Sequence, residues 1–439
     1  MKIIKNVDIY DFKNYAPNHF VAFEDKIIKK DSMECYDSYI DSLGESSIEY
    51  EIVDGKNALL LPGLTLGHSH IYSTFARGWI TPFAPTTFQD ILDQLWWKLD
   101  GELGEEEIYY SGLASATAYL KQGITTVIDH HASGKMILGS LDTLKNAVVD
   151  EMGLRGIFCF ETSDRFNIKE CLDENTNFYH QMKRNKSADC SGLLGLHASF
   201  TLSDETLIEL SKTPMDMPLH VHIAESIEDV QWTREHCGCS ILERFEQFNL
   251  LRKDNIYVHG VHMDTCDFGK IKKTEGYMAI NPSSNMNNGV GLPPIDKIIE
   301  EKIPWFVGND GLGFGLSRDY QTVIYTSNLQ RSKYFYLDAL RKSIITGYDY
   351  AGTQLGCKLG RIEQGYEADM IIIDYDSITP ITEENIFGHF VYGVLEQMNP
   401  KQLWTKGKQR MREYELLEEN QTKLQEGKRC AEKLWKKLK

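Results

Sequence analysis

The segment Gly67-His68-Ser69-His70 follows the apolar run Leu60-Leu61-Pro62-Gly63 and places two imidazoles two positions apart. In extended backbone, residues i and i+2 point to the same side, so both rings can converge on one cation. An H-x-H tripeptide by itself is as readily a pair of hydrogen-bonded core histidines. Further ligand types, however, stand at the ends of other apolar runs, in His220-Val221-His222-Ile223-Ala224-Glu225, His259-Gly260 and Asn309-Asp310-Gly311. Five of the 13 histidines fall in the three His-bearing segments. The joint pattern points to a metal site.

Those segments need elements that bring their ends together. Eight short apolar runs, each closed by Gly, Pro or a polar residue, read as buried parallel strands: Ala58–Gly63, Ile124–Asp129, Arg155–Glu161, Leu193–Ala198, Pro218–Glu225, Asn255–Gly260, Gly276–Pro282 and Pro304–Asp310. Between them, Glu105–Gln122, Leu138–Met152 and Ser240–Phe248 carry apolar residues at three- and four-residue spacing, as amphipathic helices do. Eight alternations predict an α/β fold, a (β/α)8 TIM barrel over residues 57–359, with reactive side chains where the strands end. The barrel alone does not specify a chemistry. Residues 1–56 and 360–439 show short strands without alternating helices, such as Ile52-Val53, Met370–Ile373 and Gln402–Trp404. They are expected to form a small β-sandwich domain from both chain ends, with Glu413–Leu438 as its closing helix and the lysines of that helix as a solvated face.

A chain of 439 residues, 42% hydrophobic and 25% charged, can hold a barrel and one smaller domain. Its formal charge of −17 supplies no positive field for nucleic acid or an anionic membrane, which leaves a small molecule as the expected partner. Met1–Lys5 has no secretory apolar stretch, and no apolar run approaches the roughly 18 residues that span a bilayer. A cytoplasmic location is expected. Nine cysteines scattered from Cys35 to Cys430 suit a reducing compartment, and Cys237-Gly238-Cys239 lacks the C-x-x-C spacing of structural zinc. The expected assembly is a homo-oligomer, a dimer.

The string from Leu61 to His70, with Arg77-Gly78, resembles the signature of the chlorohydrolase and cytosine/guanine/adenosine-type deaminase branch of the amidohydrolase superfamily. Leu95-Trp96-Trp97-Lys98-Leu99-Asp100, Tyr109–Leu113, Asp129–Ser133 and Phe160–Arg165 are similar to the SsnA group of aminohydrolases within it. The likeness covers nearly the whole chain, including Ser284–Asn288 and Gly365–Asp369. It implies one divalent metal ion, Zn²⁺ or alternatively Fe²⁺, held by His68, His70, His222 and Asp310. It also implies Glu225 as proton shuttle, His259 as a second catalytic group and His197 as a substrate contact. Residue chemistry agrees, since three imidazoles and a carboxylate suit such an ion and leave a position for water, whose pKa falls towards neutrality. Glu225, three residues beyond a ligand, is placed to accept a proton and return it to a leaving nitrogen. His259 can stabilise charge on the attacked carbon's oxygen, and Asp310 can both ligate and hold the attacking water. The implied activity is that of a metal-dependent aminohydrolase acting on a C–N bond of a small, nitrogen-rich, purine-related or heterocyclic substrate.

Other residues admit two readings. Asn285 is expected to hydrogen-bond ring nitrogens, and Arg165 either binds a substrate carboxylate or forms an ordinary ion pair. His220 shares the inward direction of His222 and reads as a core or ligand-orienting histidine. His130 and His131 either line the pocket or make loop hydrogen bonds; Trp96 and Trp97 form an apolar lid or pack a helix. Asn309 stands where the branch often has Thr, and the Gly-rich turn usual near Asp25-Lys26 is lacking, departures that touch no expected ligand. Two other functions compete. A cyclic amidase would usually need a metal-bridging lysine at the end of the fourth strand, where the chain reads Leu196-His197-Ala198-Ser199-Phe200. An inactive barrel scaffold would be expected to have lost ligands, yet every one is present.

Overall fold

The computed structural model describes residues 1–79, 83–185, 187–311, 313–334, 336–417 and 421–438. The chain separates into two compact units. One comprises Met1–Thr65, Ala118–Thr126 and Tyr348–Glu419; the other comprises Leu66–Thr117, Val127–Gly347 and Asn420–Lys439.

The larger unit holds most of a ring of eight parallel strands: β1 (Leu64–Ser69, in this unit from Leu66), β2 (Ile124–His131, in this unit from Val127), β3 (Arg155–Phe160), β4 (Leu194–Leu196, preceded by the short Cys190–Gly192), β5 (Leu219–Ile223), β6 (Ile256–His259), β7 (Tyr277–Ile280) and β8 (Trp305–Val307). Nearly every residue in them is buried, as parallel strands must be when both faces are covered. Strands β1 to β3 with Cys190–Gly192 form one ladder and β4 to β8 another. The parallel bridges Thr162–Leu196 and Ser69–Asp310 join the two ladders and close the ring. The α/β barrel expected from the apolar runs is therefore present.

One strand differs from expectation. Ala58–Gly63 is not the first barrel strand; it is largely the end of Glu51–Pro62, which pairs with Lys2–Tyr10 and Met370–Ile373. The first barrel strand starts only after Gly63, at Leu64, and itself carries His68. A continuous apolar run spanning both strands left no period to separate them. Closure beside His68 depends on two glycines. A Cβ on Gly67 would sit 2.8 Å from the Val307 carbonyl oxygen, and one on Gly308 2.7 Å from the His68 carbonyl oxygen. Only Gly permits that approach.

In the smaller unit, eight strands form one ladder running from Glu415–Leu416 through Lys408–Arg412, Gln402–Thr405, Met370–Ile373, Glu51–Pro62, Lys2–Tyr10 and Tyr15–Phe23 to Ile27–Ser32. Trp404 and Phe23 lie four ladder steps apart, about 19 Å in a flat sheet, yet their ring centroids are 5.9 Å apart. The ladder thus folds over itself into the expected sandwich, around Ile4, Val21, Leu60, Met370 and Trp404.

The terminal helix, Gln421–Leu438, was expected with that sandwich and belongs instead to the barrel unit. Its buried positions Gly427, Cys430 and Leu434 form one stripe, and Cys430 and Leu434 pack with Tyr72, Phe75, Leu99 and Leu103. The Trp435 indole N–H donates to the Phe75 carbonyl at 2.7 Å, and Lys423 reaches Glu151 at 2.6 Å. An amphipathic stripe announces that a helix covers something without saying what, so position in sequence misplaced it. Among the described residues no helix is long and apolar enough to cross a membrane. Leu434 is fully buried; Leu434→Ala should destabilise the barrel unit by about 2–5 kcal/mol in denaturant unfolding followed by circular dichroism.

Candidate metal centre and active site

His68 and His70 lie at the end of β1, His222 on β5 and Asp310 just past β8. The ring brings one ligand atom from each within 4.8 Å of the others. His70 Nε2 is 3.2 Å from His222 Nε2 and 3.1 Å from Asp310 Oδ1, which lies 3.4 Å from His68 Nε2. The rings' other nitrogens settle their tautomers. His70 Nδ1 faces the His130 carbonyl at 2.7 Å and His222 Nδ1 the His197 carbonyl at 2.9 Å. Carbonyls only accept, so each Nδ1 carries the proton and each Nε2 presents a lone pair. Two lone pairs 3.2 Å apart, with the buried His68 Nε2 lacking any hydrogen-bond partner, form a donor set that fits one divalent cation. Electrostatics agree. Burial opposes charge on Asp310, but the imidazoles of His68 and His70 beside it hold its pKa well below the ordinary carboxylate value. Burial likewise opposes charge on His70, yet Asp310 raises its pKa to about 9, so a proton settles on that Nε2 where no cation takes its lone pair. Positive charge is what this cluster stabilises.

A second set of groups adjoins the first. Glu225, in the turn after β5, places Oε2 3.4 Å from His259 Nε2 and accepts from Asn288 Nδ2 at Oε1, 3.2 Å away. Burial, then the charge of Asp310, pushes the Glu225 carboxyl up to about 8. Asn285 Nδ2 donates to His259 Nδ1 at 2.8 Å, which leaves the His259 proton on Nε2, towards Glu225. The Ser284 hydroxyl donates to Asp310 Oδ2. Ala224, His259 and Asp310 all adopt left-handed backbone, with φ of 46°, 70° and 59°. Non-glycine residues rarely do so, and these three stand where strands hand over to the reactive groups.

These groups floor a pocket walled by Tyr72, Phe88, Leu92, Trp96, Trp97 and Phe200, with His197, Asp100 and Glu161 on its lining. Flat aromatic walls above convergent polar groups suit a planar heterocycle.

The sequence matches the amidohydrolase family over residues 59–410. The chain belongs to the amidohydrolase family. It is 28% identical over 354 residues to a 5'-deoxyadenosine deaminase of Methanocaldococcus jannaschii, covering 78% of this chain and 81% of that one. It is 25% identical over 398 residues to a 5-methylthioadenosine/S-adenosylhomocysteine deaminase of Carboxydothermus hydrogenoformans, covering 89% and 88%. An adenosine deaminase of Xanthomonas campestris, solved with bound zinc, superposes with a TM-score of 0.81 at 18% identity and covers 99% of this chain and 98% of its own.

Within this amidohydrolase the remaining expected residues fall as follows. His197 lines the pocket, its Nδ1 tied to Thr201 Oγ1 at 2.9 Å. Asn285 is fully buried and its amide engages His259, so it positions a histidine rather than meeting a ring nitrogen. Arg165 does not offer itself to a substrate carboxylate: it binds both oxygens of Asp100, at 2.6 and 2.7 Å, and Glu161 Oε1 at 2.7 Å. Trp96 and Trp97 wall the pocket. His220 Nε2 stands 2.9 Å from His68 Nδ1, behind that imidazole. The His130 carbonyl orients His70, whereas the ring of His131 turns to Ser133. Cys237 and Cys239 are free thiols. Sequence reasoning passed over Asp100, Glu161, Ser284 and Asn288. Glu161 closes a strand-like run and was findable by that position; Asp100 sits on a helix, where nothing marks a site residue.

Arg165 has a structural consequence that can be measured. Arg165→Ala would leave Asp100 and Glu161 as buried unpaired carboxylates, so a stability loss of about 3–5 kcal/mol is expected. Adding Asp100→Asn should recover part of it. A loss below about 1 kcal/mol in chemical denaturation would contradict the ion-pair assignment.

Proposed function

We propose that the protein is a hydrolytic deaminase that replaces an exocyclic amine on a purine-like ring by oxygen from water. The observation that carries this reading is the placement of Glu225 beside His259 and Asp310, next to a three-histidine, one-carboxylate cluster at the floor of an aromatic pocket. Relatives named as deaminases of adenosine derivatives support the purine-like substrate.

One Zn²⁺ ion held by His68, His70, His222 and Asp310 would supply the Lewis acidity that lowers a water's pKa towards neutrality. The chain's own groups do the rest. Trp96, Trp97 and Phe200 hold the ring and exclude solvent. Glu225 accepts the attacking water's proton at its carboxylate and returns a proton to the leaving nitrogen, a task suited to a carboxyl whose pKa burial has raised. His259, its proton kept on Nε2 by Asn285, donates to the oxygen being added to the ring carbon. Asp310, ionised under the influence of His68 and His70, accepts a hydrogen bond that aligns the water.

Elemental analysis of gently purified protein should find about one transition-metal ion per chain, because one complete ligand set is present; two ions per chain would overturn the single-ion reading. His222→Ala should lose the ion.

Glu225→Gln should retain the ion and lose turnover by roughly 10²–10⁴-fold, since it removes proton transfer and no ligand. Matching behaviour of the two variants would refute this division of roles. A coupled ammonia assay over adenine, guanine and their nucleosides, with product mass measured alongside, tests the reaction itself. Addition of water's mass without ammonia would instead indicate ring opening by a cyclic amidase.

A further inference from the structure

The polarity of the pocket constrains what enters it. Its described lining residues include the carboxylates of Asp100, Glu161, Glu225, Asp229 and Asp310 and no lysine or arginine. Asp310 belongs to the metal cluster and Glu225 adjoins it, while Asp229 is occupied by the Ala224 and Phe200 amides at 2.9 and 3.3 Å. Asp100 and Glu161 have no such employment. Arg165 holds both, yet one guanidinium between two carboxylates leaves the group negative, and Arg165 itself does not line this pocket.

Glu161 is also unequally used. Arg165 takes its Oε1, while Oε2 faces His130 Nδ1 across 4.0 Å. The other nitrogen of His130, Nε2, donates to the Leu196 carbonyl at 3.1 Å, so Nδ1 presents a lone pair. That atom is buried and has no partner. His130 therefore gives Glu161 Oε2 no proton, and that carboxylate, on the pocket lining, can receive a donor from a bound molecule.

We propose that the substrate, besides its leaving amine, carries a hydrogen-bond-donating group, a hydroxyl or an ammonium, which Glu161 with Asp100 receives, and that this pocket discriminates against anionic appendages. The inference rests on the reading of this pocket as the substrate site. Its physical basis is the strength of hydrogen bonds to ionised acceptors in a desolvated site and the repulsion of a second anion there. Arg165 is already committed to Asp100 and Glu161 and cannot reverse that preference.

The test compares three ligands that share one ring and differ at one position: 5'-amino-5'-deoxyadenosine, adenosine and adenosine-5'-carboxylic acid. For each, kcat/KM for ammonia release and Kd by calorimetry are measured on the metal-loaded enzyme. The amine and the alcohol should exceed the carboxylate by at least about tenfold in both quantities. Glu161→Gln should shrink the ratio of amine to carboxylate, and Asp100→Asn should do so if the first variant fails to fold. Carboxylate binding equal to or tighter than amine binding would overturn the inference. Ammonia release without any charge preference would remove it while the deaminase reading stands. The expected order in Kd with no ammonia from any ligand would do the reverse.

Discussion

Everything at the catalytic end of this molecule depends on how closely β8 can approach β1. The His68 carbonyl accepts from the amides of Asn309 and Asp310, at 3.0 and 3.3 Å, and the Asp310 carbonyl accepts from the His70 amide at 3.1 Å. That short exchange closes the ring, and it also sets Asp310 beside His68 and His70. Gly67 and Gly308 make it possible by removing the side chains that would hold the strands apart. Four ligand atoms from three strand ends then meet within 4.8 Å with no further device than the curvature of the sheet. The buried imidazoles are oriented by backbone carbonyls of neighbouring strands, so the hydrogen bonds that satisfy the fold also choose the tautomers the site requires.

The same economy governs the charges. Five carboxylates on one small pocket would repel each other in low dielectric unless each were stabilised. Asp310 has imidazoles, Asp229 has backbone amides, and Asp100 and Glu161 share the guanidinium of Arg165. Glu225 has only Asn288 and the nearby His259, and burial raises its pKa to about 8. The least compensated carboxyl is therefore the one assigned to move a proton.

Much of this was readable before any coordinates. Strand-end histidines and Asp310 could be found because a parallel barrel converts separation in sequence into convergence in space, and because ligand chemistry restricts residue types. The roles of Arg165 and Asn285 were not readable, since a side chain's partners depend on which element faces it: Asp100 lies 65 residues from Arg165, and His259 lies 26 from Asn285. The boundary at Pro62–Leu64 failed for another reason. Two strands of different sheets follow one another there with one intervening residue and a common apolar composition. The terminal helix showed its stripe but not its destination.

That helix gives the barrel an unusual dependence on order of synthesis. Trp435 grips the Phe75 carbonyl across 360 residues of chain, and its neighbours Cys430 and Leu434 pack with Tyr72, which also walls the pocket. A ribosome extends the chain from the other end, so the barrel's first strand and the segment after His70 emerge long before the helix that covers them. Until then Phe75 and Leu99 lack part of their cover, and the wall of the pocket built on Tyr72 lacks its backing. The pocket wall built on Tyr72 is thus completed by residues that come far later in the chain.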